Sequence, residues 1–244
     1  LACMSLLSGE CDEALVGGVN LIQDDDLTDA FERAGILAKD GRCKFGDKSA
    51  DGIIRAEGAA FLVIKNFERA LQDGDRIYAC IRATAVGHVA RTTDDIMSPS
   101  LVAQKRLFTN ALGIGGLNAS DVTFVEAHGT GTPLGDKAEI EAVASVYGKS
   151  NRSEDLYIGS VKTNIGHTET VCGLAGLIKA TLAVFNRRLP PTLHVSNPIS
   201  ELEGRKVVLA GEVRALPEKS IAAVSAFGLT GTLAHELIES PASA

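Results

Sequence analysis

Two stretches of this chain follow one plan: a short apolar run, a histidine, and a glycine-containing turn that opens into a helix pattern. They read VTFVEAHGTGTPLGD and LYIGSVKTNIGHTET, and they set His128 and His167 at equivalent strand ends. Alternation of this kind restricts the chain to the α/β class, because period-two strands and 3.6-period helices must then pack on one another as layers. In the two repeats the strands are expected at residues 121–127 and 157–161. Further strand runs fall at residues 14–22, 59–65, 77–86, 206–210, 221–227 and 233–239, the last two joined by the turn GLTG.

Helix patterns separate them. A short helix at 27–34 is introduced by Asp24, Asp25 and Asp26, and NFERALQDGD reads as a helix and turn. Ser98 and Pro99 take cap and first-turn positions of a helix that carries Leu101, Phe108, Ala111 and Leu112 inward and stops at GIGG. Residues 134–147 put Ile140, Val143, Ala144 and Tyr147 on one face. Residues 170–185 are apolar nearly all round, which predicts burial between layers, with Gly173 and Gly176 allowing close neighbours. The loop DGRCKFGDKSADG carries turn chemistry. LACMSLLSGE starts with apolar positions and no cap, so the folding unit is expected to begin upstream of Leu1. Strand order does not follow from these patterns; mixed sheets around a buried helix do.

Composition removes several function classes. With a net charge of −7, no tryptophan and 5% aromatic residues, neither nucleic acid nor an anionic membrane is the expected partner. The apolar stretch 171–185 is interrupted by Lys179 and is shorter than a bilayer span, and no signal peptide opens the chain. The five cysteines, Cys3, Cys11, Cys43, Cys80 and Cys172, are scattered without partners at ligand spacing. That pattern implies reduced thiols, a cytoplasmic setting and no metal site.

A lone histidine is most often a satisfied core residue, but context sets His128 and His167 apart. Exposed amides and the hydroxyls of Thr130 and Thr132 in GTGTPLG offer His128 a polar lining. His167 precedes the apolar helix, whose positive end disfavours imidazolium. Two neutral imidazoles acting as donors can stabilise an oxyanion or enolate. GTGTPLG lacks the lysine and hydroxyl of GxxxxGK(S/T) and the spacing of GxGxxG, so it is a poor phosphate cradle. Lys162 is either a Schiff-base lysine or, better, a partner of Glu169 in a buried network.

VEAHGTGTPLGDKAEIEA, GSVKTNIGHTETVCGLAGLIK and ADGIIRAEGAAFLVIKNFERALQDGDRIYACIR together resemble the β-ketoacyl synthase domains of polyketide synthases and, more distantly, of fatty acid synthases. The resemblance covers essentially the whole chain. It implies a thiolase-like αβαβα layered fold, a homodimer, and decarboxylative Claisen condensation of an acyl thioester with a malonyl-type extender on acyl carrier protein. Residues 1–90 would close the first half of one ketosynthase domain and residues 91–244 form the second, with the amino-terminal portion missing. No cofactor is implied beyond the phosphopantetheine arm of the carrier.

By motif match, His128 and His167 would hold the extender's thioester carbonyl, Lys162, Glu169 and Asn164 would support them, and Thr130 and Thr132 would contact the pantetheine arm. The family's nucleophile sits in a TACSS motif that would precede Leu1; no such motif occurs here, Cys3 and Cys172 are packing residues, and the chain alone is expected to be inactive. SAFGLTGTLAH departs from the family's SxFGFxGTNAH. Beside Phe227, Leu229 stands at a gating phenylalanine, and Leu233 replaces an asparagine expected to tie the turn. VGHVARTTDDIM stands where VNHDG is common, so His88 is read as structural, and CKFGDKSADG orders its aromatic differently from KPFDxxADG. These departures keep open an alternative: a non-elongating or pseudo-condensing domain that binds acyl carrier protein or scaffolds a dimer.

Overall fold

The computed structural model describes residues 1–89, 99–148 and 152–241. In chain order the main elements are α1 (Ala2–Ser8), β1 (Glu13–Asn20), α2 (Asp26–Arg33), β2 (Gly58–Lys65), α3 (Phe67–Asp73), β3 (Cys80–His88) and α4 (Leu101–Gly115). Then come β4 (Val122–Glu126), α5 (Pro133–Val146), β5 (Leu156–Gly159), α6 (Lys162–Ile165), α7 (Cys172–Asn186) and β6 (Arg188–Leu189). The chain continues through β7 (Val207–Leu209), β8 (Arg214–Ala215), β9 (Ile221–Phe227) and β10 (Thr232–Glu239). The short pair β6–β8 is too brief to leave a sequence signal. The α4 cap sits two residues later than expected: the Ser100 hydroxyl accepts the Ala103 amide, and Ser98 lies outside the described residues.

A six-stranded sheet in the order β3-β10-β9-β4-β5-β7 forms the centre. It is mixed. β3, β10 and β9 pair antiparallel, whereas β9, β4, β5 and β7 run parallel. Successive side chains point to opposite faces of a strand, and each face carries its own core. Val125, Ile158, Ala223 and Leu237 pack with Phe108 and Ala111 of α4 and Ile140 and Val143 of α5. Phe124, Ala222, Val224 and Ile238 pack with Ala180, Ala183 and Val184 of α7. Withdrawing each of the larger side chains here, Val, Leu, Ile or Phe, from water contributes about 1.5–3 kcal/mol before entropy is charged against it.

The glycines of α7 permit the close approach expected of them. A Cβ on Gly173 would lie 3.2 Å from Ala226 Cβ, and one on Gly176 3.3 Å from Glu126 Cγ. Lys179 of the same helix forms a buried ion pair with Glu126 at 2.6 Å. Including the turn before it, the helical run 169–186 has 18 residues and a mean hydropathy of 1.2, so by length and composition it reaches membrane-span size, contrary to the sequence expectation. Its packing against β9 and that ion pair make it a core helix.

Burial of α7 is one-sided rather than complete. The antiparallel pair β1–β2 meets α7 and the turn before it. An open, largely apolar cleft of about 670 Å³ runs along Ala60, Val171, Ala175, Ile178 and Leu182, and Leu182 is exposed.

Candidate active site

Parallel strands deliver their following loops to the same end of a sheet, and ligands of α/β folds gather there. β9, β4 and β5 are neighbours in that arrangement. Phe227 ends β9, His128 follows β4, and His167 follows β5 through α6. The imidazole centroids are 5.6 Å apart with the rings edge to face, and the Phe227 ring lies 5.3 Å from His128. The two sequence-predicted histidines thus share one site.

Their proton positions follow from their backbone partners. The Phe227 amide donates to Nδ1 of His128 at 3.3 Å, and the Glu169 amide donates to Nδ1 of His167 at 2.9 Å. A neutral ring whose Nδ1 accepts carries its hydrogen on Nε2, so both histidines present Nε2–H. Both are held neutral. Burial and then the nearby Lys162 charge lower His167 to about 3, and burial, Lys162 and His167 keep His128 well below its ordinary value. Burial acts first on both rings, and the lysine charge adds to it.

Lys162 Nζ donates to the His128 carbonyl at 2.6 Å. The expected Lys162–Glu169 pair does not form, because Glu169 is engaged by Arg55 Nε at 2.5 Å. Glu169 also holds a left-handed φ of +42°, a conformation that costs a non-glycine residue about 1–2 kcal/mol. Asn164 is exposed, and its Oδ1 accepts the Thr163 hydroxyl at 3.2 Å. Thr130 and Thr132 hydrogen-bond to each other at 3.0 Å on the turn after His128.

The amides of that turn are not the free lining the sequence suggested. Glu139 accepts the amides of His128 and Gly129, both at 2.8 Å, one on each carboxylate oxygen. Asp136 accepts those of Gly131 and Gly46, both at 3.1 Å. Burial pushes each carboxyl up to about 7 against the lowering effect of these donors. Ser160 donates its hydroxyl to the Gly129 carbonyl at 2.8 Å. Gly129 is at φ +43°, and a Cβ there would sit 2.6 Å from that of Ser160, so only glycine fits.

Asp136 and Glu139 were missed as site residues. Acidic residues in the first turns of a helix usually face solvent and the helix dipole, yet Asp136 lies four residues before Ile140, on the apolar face of α5; that position was the available signal. Cys43 was also missed: its Sγ lies 3.7 Å from the Gly129 carbonyl, and burial pushes its thiol up to about 12.

At the GLTG turn, Leu229 is exposed and Phe227 faces His128. Leu233 is buried in the core shared with α4 and α5, and the turn is closed by backbone bonds from Gly228 to Thr232 and from Gly231 to Gly228. The turn therefore holds without a side-chain amide. His88 is exposed, with Nδ1 2.7 Å from the Val89 carbonyl.

A mixed sheet with a histidine pair at the carboxyl ends of parallel strands, and a helix between it and a second small sheet, defines a thiolase-like condensing fold. Residues 1–70 match the family described as "Beta-ketoacyl synthase, N-terminal domain", and residues 78–196 match "Beta-ketoacyl synthase, C-terminal domain". The chain belongs to the β-ketoacyl synthase family. It is similar to a phenolphthiocerol/phthiocerol polyketide synthase of Mycobacterium tuberculosis, at 43% identity over 98% of this chain and 11% of that protein. A highly reducing polyketide synthase of Penicillium oxalicum is 40% identical over the whole chain and 10% of its own length. The ketosynthase from module 6 of the bacillaene synthase of Bacillus subtilis 168 superposes with a TM-score of 0.94 at 34% identity, covering 99% of this chain and 44% of that one. The chain thus spans about a tenth of these synthases and less than half of the solved ketosynthase.

Proposed function

We propose that this chain is part of a ketosynthase that joins an acyl thioester to a malonyl-type extender during polyketide assembly. The supporting observation is the pair of Nε2–H donors, each fixed by a backbone amide on Nδ1. In the proposed step the bond between the malonyl α-carbon and its carboxylate breaks and carbon dioxide leaves. The electron pair passes into the thioester carbonyl, whose oxygen becomes an enolate held by His128 and His167. The α-carbon then attacks an acyl group carried as a thioester on a cysteine, the new carbon–carbon bond forms, and the thiolate leaves. Neutral donors suit this step, since they stabilise the developing charge without transferring a proton to the carbon nucleophile.

The extender would arrive on the phosphopantetheine arm of acyl carrier protein, with Thr130 and Thr132 flanking its path and Lys162, Glu169 and Asn164 around the histidines. Cytoplasmic reaction and a homodimeric domain belong to the same reading. A second reading draws on exposed Leu229 at the gate position: a non-elongating domain that binds the carrier without extending the chain.

The test is decarboxylation of a malonyl thioester by the condensing domain that contains this chain, with acylation by a labelled acyl thioester measured beside it. His128→Ala and His167→Ala should each lower decarboxylation by about 10²–10³-fold, the usual loss for one oxyanion donor. Unchanged turnover in both variants removes the roles assigned to the rings. Decarboxylation without labelled protein points to the non-elongating reading.

A further inference from the structure

Arg55 has no part in the chemistry above, yet it grips the residue whose amide orients the His167 ring. It lies in an extended segment that docks beside the His167 turn: the His167 amide donates to the Ile54 carbonyl at 2.6 Å, and the Ala56 amide donates to the His167 carbonyl at 3.0 Å. Its side chain is only 8% exposed. The guanidinium donates through Nε to one Glu169 oxygen at 2.5 Å and reaches the other at 3.4 Å. A further N–H goes to the Thr28 hydroxyl of α2 at 2.6 Å, and Cζ lies 5.5 Å from the centroid of the Phe31 ring.

Glu169 is the residue whose amide occupies Nδ1 of His167, and it does so from its left-handed backbone conformation. We propose that Arg55 is a positioning residue for His167. By anchoring the Glu169 carboxylate while its own neighbours hold the His167 main chain, it keeps the Glu169 N–H aimed at Nδ1 and the ring proton on Nε2. A planar fork suits this task because it grips a carboxylate and a hydroxyl in fixed directions, which a lysine ammonium does not. Without the anchor, Glu169 relaxes toward an ordinary backbone conformation, its N–H leaves Nδ1, and the tautomer that donates from Nδ1 becomes accessible. The inference rests on the reading that His167 acts through Nε2–H, but it is read out without any substrate.

The experiment is nitrogen-15 NMR of the imidazoles in the full chain at neutral pH, where the Nδ1 and Nε2 shifts report which nitrogen is protonated. Arg55→Met, which keeps the apolar contact with Phe31, and Glu169→Met, which removes both acceptor oxygens at similar side-chain length, should each raise the Nδ1–H population of His167 about fivefold, as expected for the loss of one hydrogen bond. Thr28→Val leaves the Arg55–Glu169 pair in place and should keep the wild-type ratio. His128, held by a different amide, should not change in any variant. If Arg55→Met does not fold, Glu169→Met decides alone. An unchanged His167 tautomer in folded Glu169→Met overturns the proposal, and so does a shift in Thr28→Val as large as in the other variants, or an equal shift of His128. A chain that shows the His167 shift but belongs to a domain unable to decarboxylate a malonyl thioester would instead refute the proposed reaction and leave the role of Arg55 standing.

Discussion

The carboxyl ends of β9, β4 and β5 and the β1–β2 pair use similar residues to opposite effect. At the strand ends the irregular backbone is tied down: Glu139, Asp136, Lys162 and Ser160 take up amides and carbonyls of the turn after His128. Across β1–β2 the ladder runs without a break from Glu13↔Lys65 to Asn20↔Gly58, but Leu15, Val19, Phe61 and Val63 stand exposed on one face. Strands apolar on both faces are the pattern of a sheet covered on both faces. The site end is therefore ordered by contacts within the chain, whereas the β1–β2 pair carries a surface suited to contacts the described residues do not make.

The largest expected effect comes from opening the clamp that sets the site apart. Glu139→Ala leaves the His128 and Gly129 amides buried without an acceptor, and it should lower stability by about 3 kcal/mol, since each orphaned buried donor costs about 1–3 kcal/mol. Urea denaturation measures it. A loss below about 1 kcal/mol, the level of an ordinary substitution, would mean that water replaces the carboxylate and that the two regions differ less than their hydrogen bonds suggest.

Much of this contrast is legible in the sequence, and the part that is not has a physical reason. The histidine pair was legible because a strand, a histidine and a glycine turn repeat, and parallel strands bring equivalent ends together. The alternating runs located β1, β2, β4, β9 and β10 to within about two residues, the normal uncertainty of element ends. Pairings between long charged side chains were not legible. Lys162 and Glu169 stand close in sequence, but Arg55 reaches Glu169 from 114 positions away, and no local pattern encodes that choice. Nor could the sequence show that the GTGTPLG amides are already taken, because their acceptors are carboxylates on α5 that look like surface charges. The one-sided burial of α7 escaped for a related reason: apolarity all round a helix states what it can bury, and only its neighbours decide how much it does.

Acid should sharpen the comparison next. His167 in the site and His235 in the core both titrate near 3 in the folded chain because burial penalises their charged form, against about 6.5 when unfolded. Below about 6.5 the unfolded chain binds the extra proton, so stability falls as pH drops toward 3, by up to about 1.4 kcal/mol per pH unit per ring. Asp136 and Glu139 act in the other direction. Their folded values near 7 lie above the ordinary carboxylate range, so their contribution declines as pH rises toward 7. A difference measurement separates the two. His235 bridges the Tyr147 hydroxyl at 2.7 Å and the Ser225 hydroxyl at 3.0 Å, bonds a neutral amide can imitate. His235→Gln should therefore remove about one ring's worth of slope between pH 6 and 4. Parallel stability curves for the two proteins would show that His235 takes up its proton while the chain stays folded.

The smallest stability change is expected where the apolar content is most conspicuous. Leu15 and Val63 face each other across β1–β2 and are 70% and 68% exposed, so neither loses much water contact on folding. Replacing both with threonine puts a β-branched pair in their place, suited to strands and to cross-strand hydrogen bonding. The double variant should keep its denaturation midpoint within the range of about 0.5 kcal/mol typical of surface changes. Its association should change instead. An exposed apolar patch promotes contact between molecules, and light scattering across a concentration series should show less self-association in the double variant than in the parent chain. A large loss of stability with unchanged scattering would mean that these side chains support the folded chain from within, and the division between a self-satisfied site and an unsatisfied strand pair would have to be redrawn.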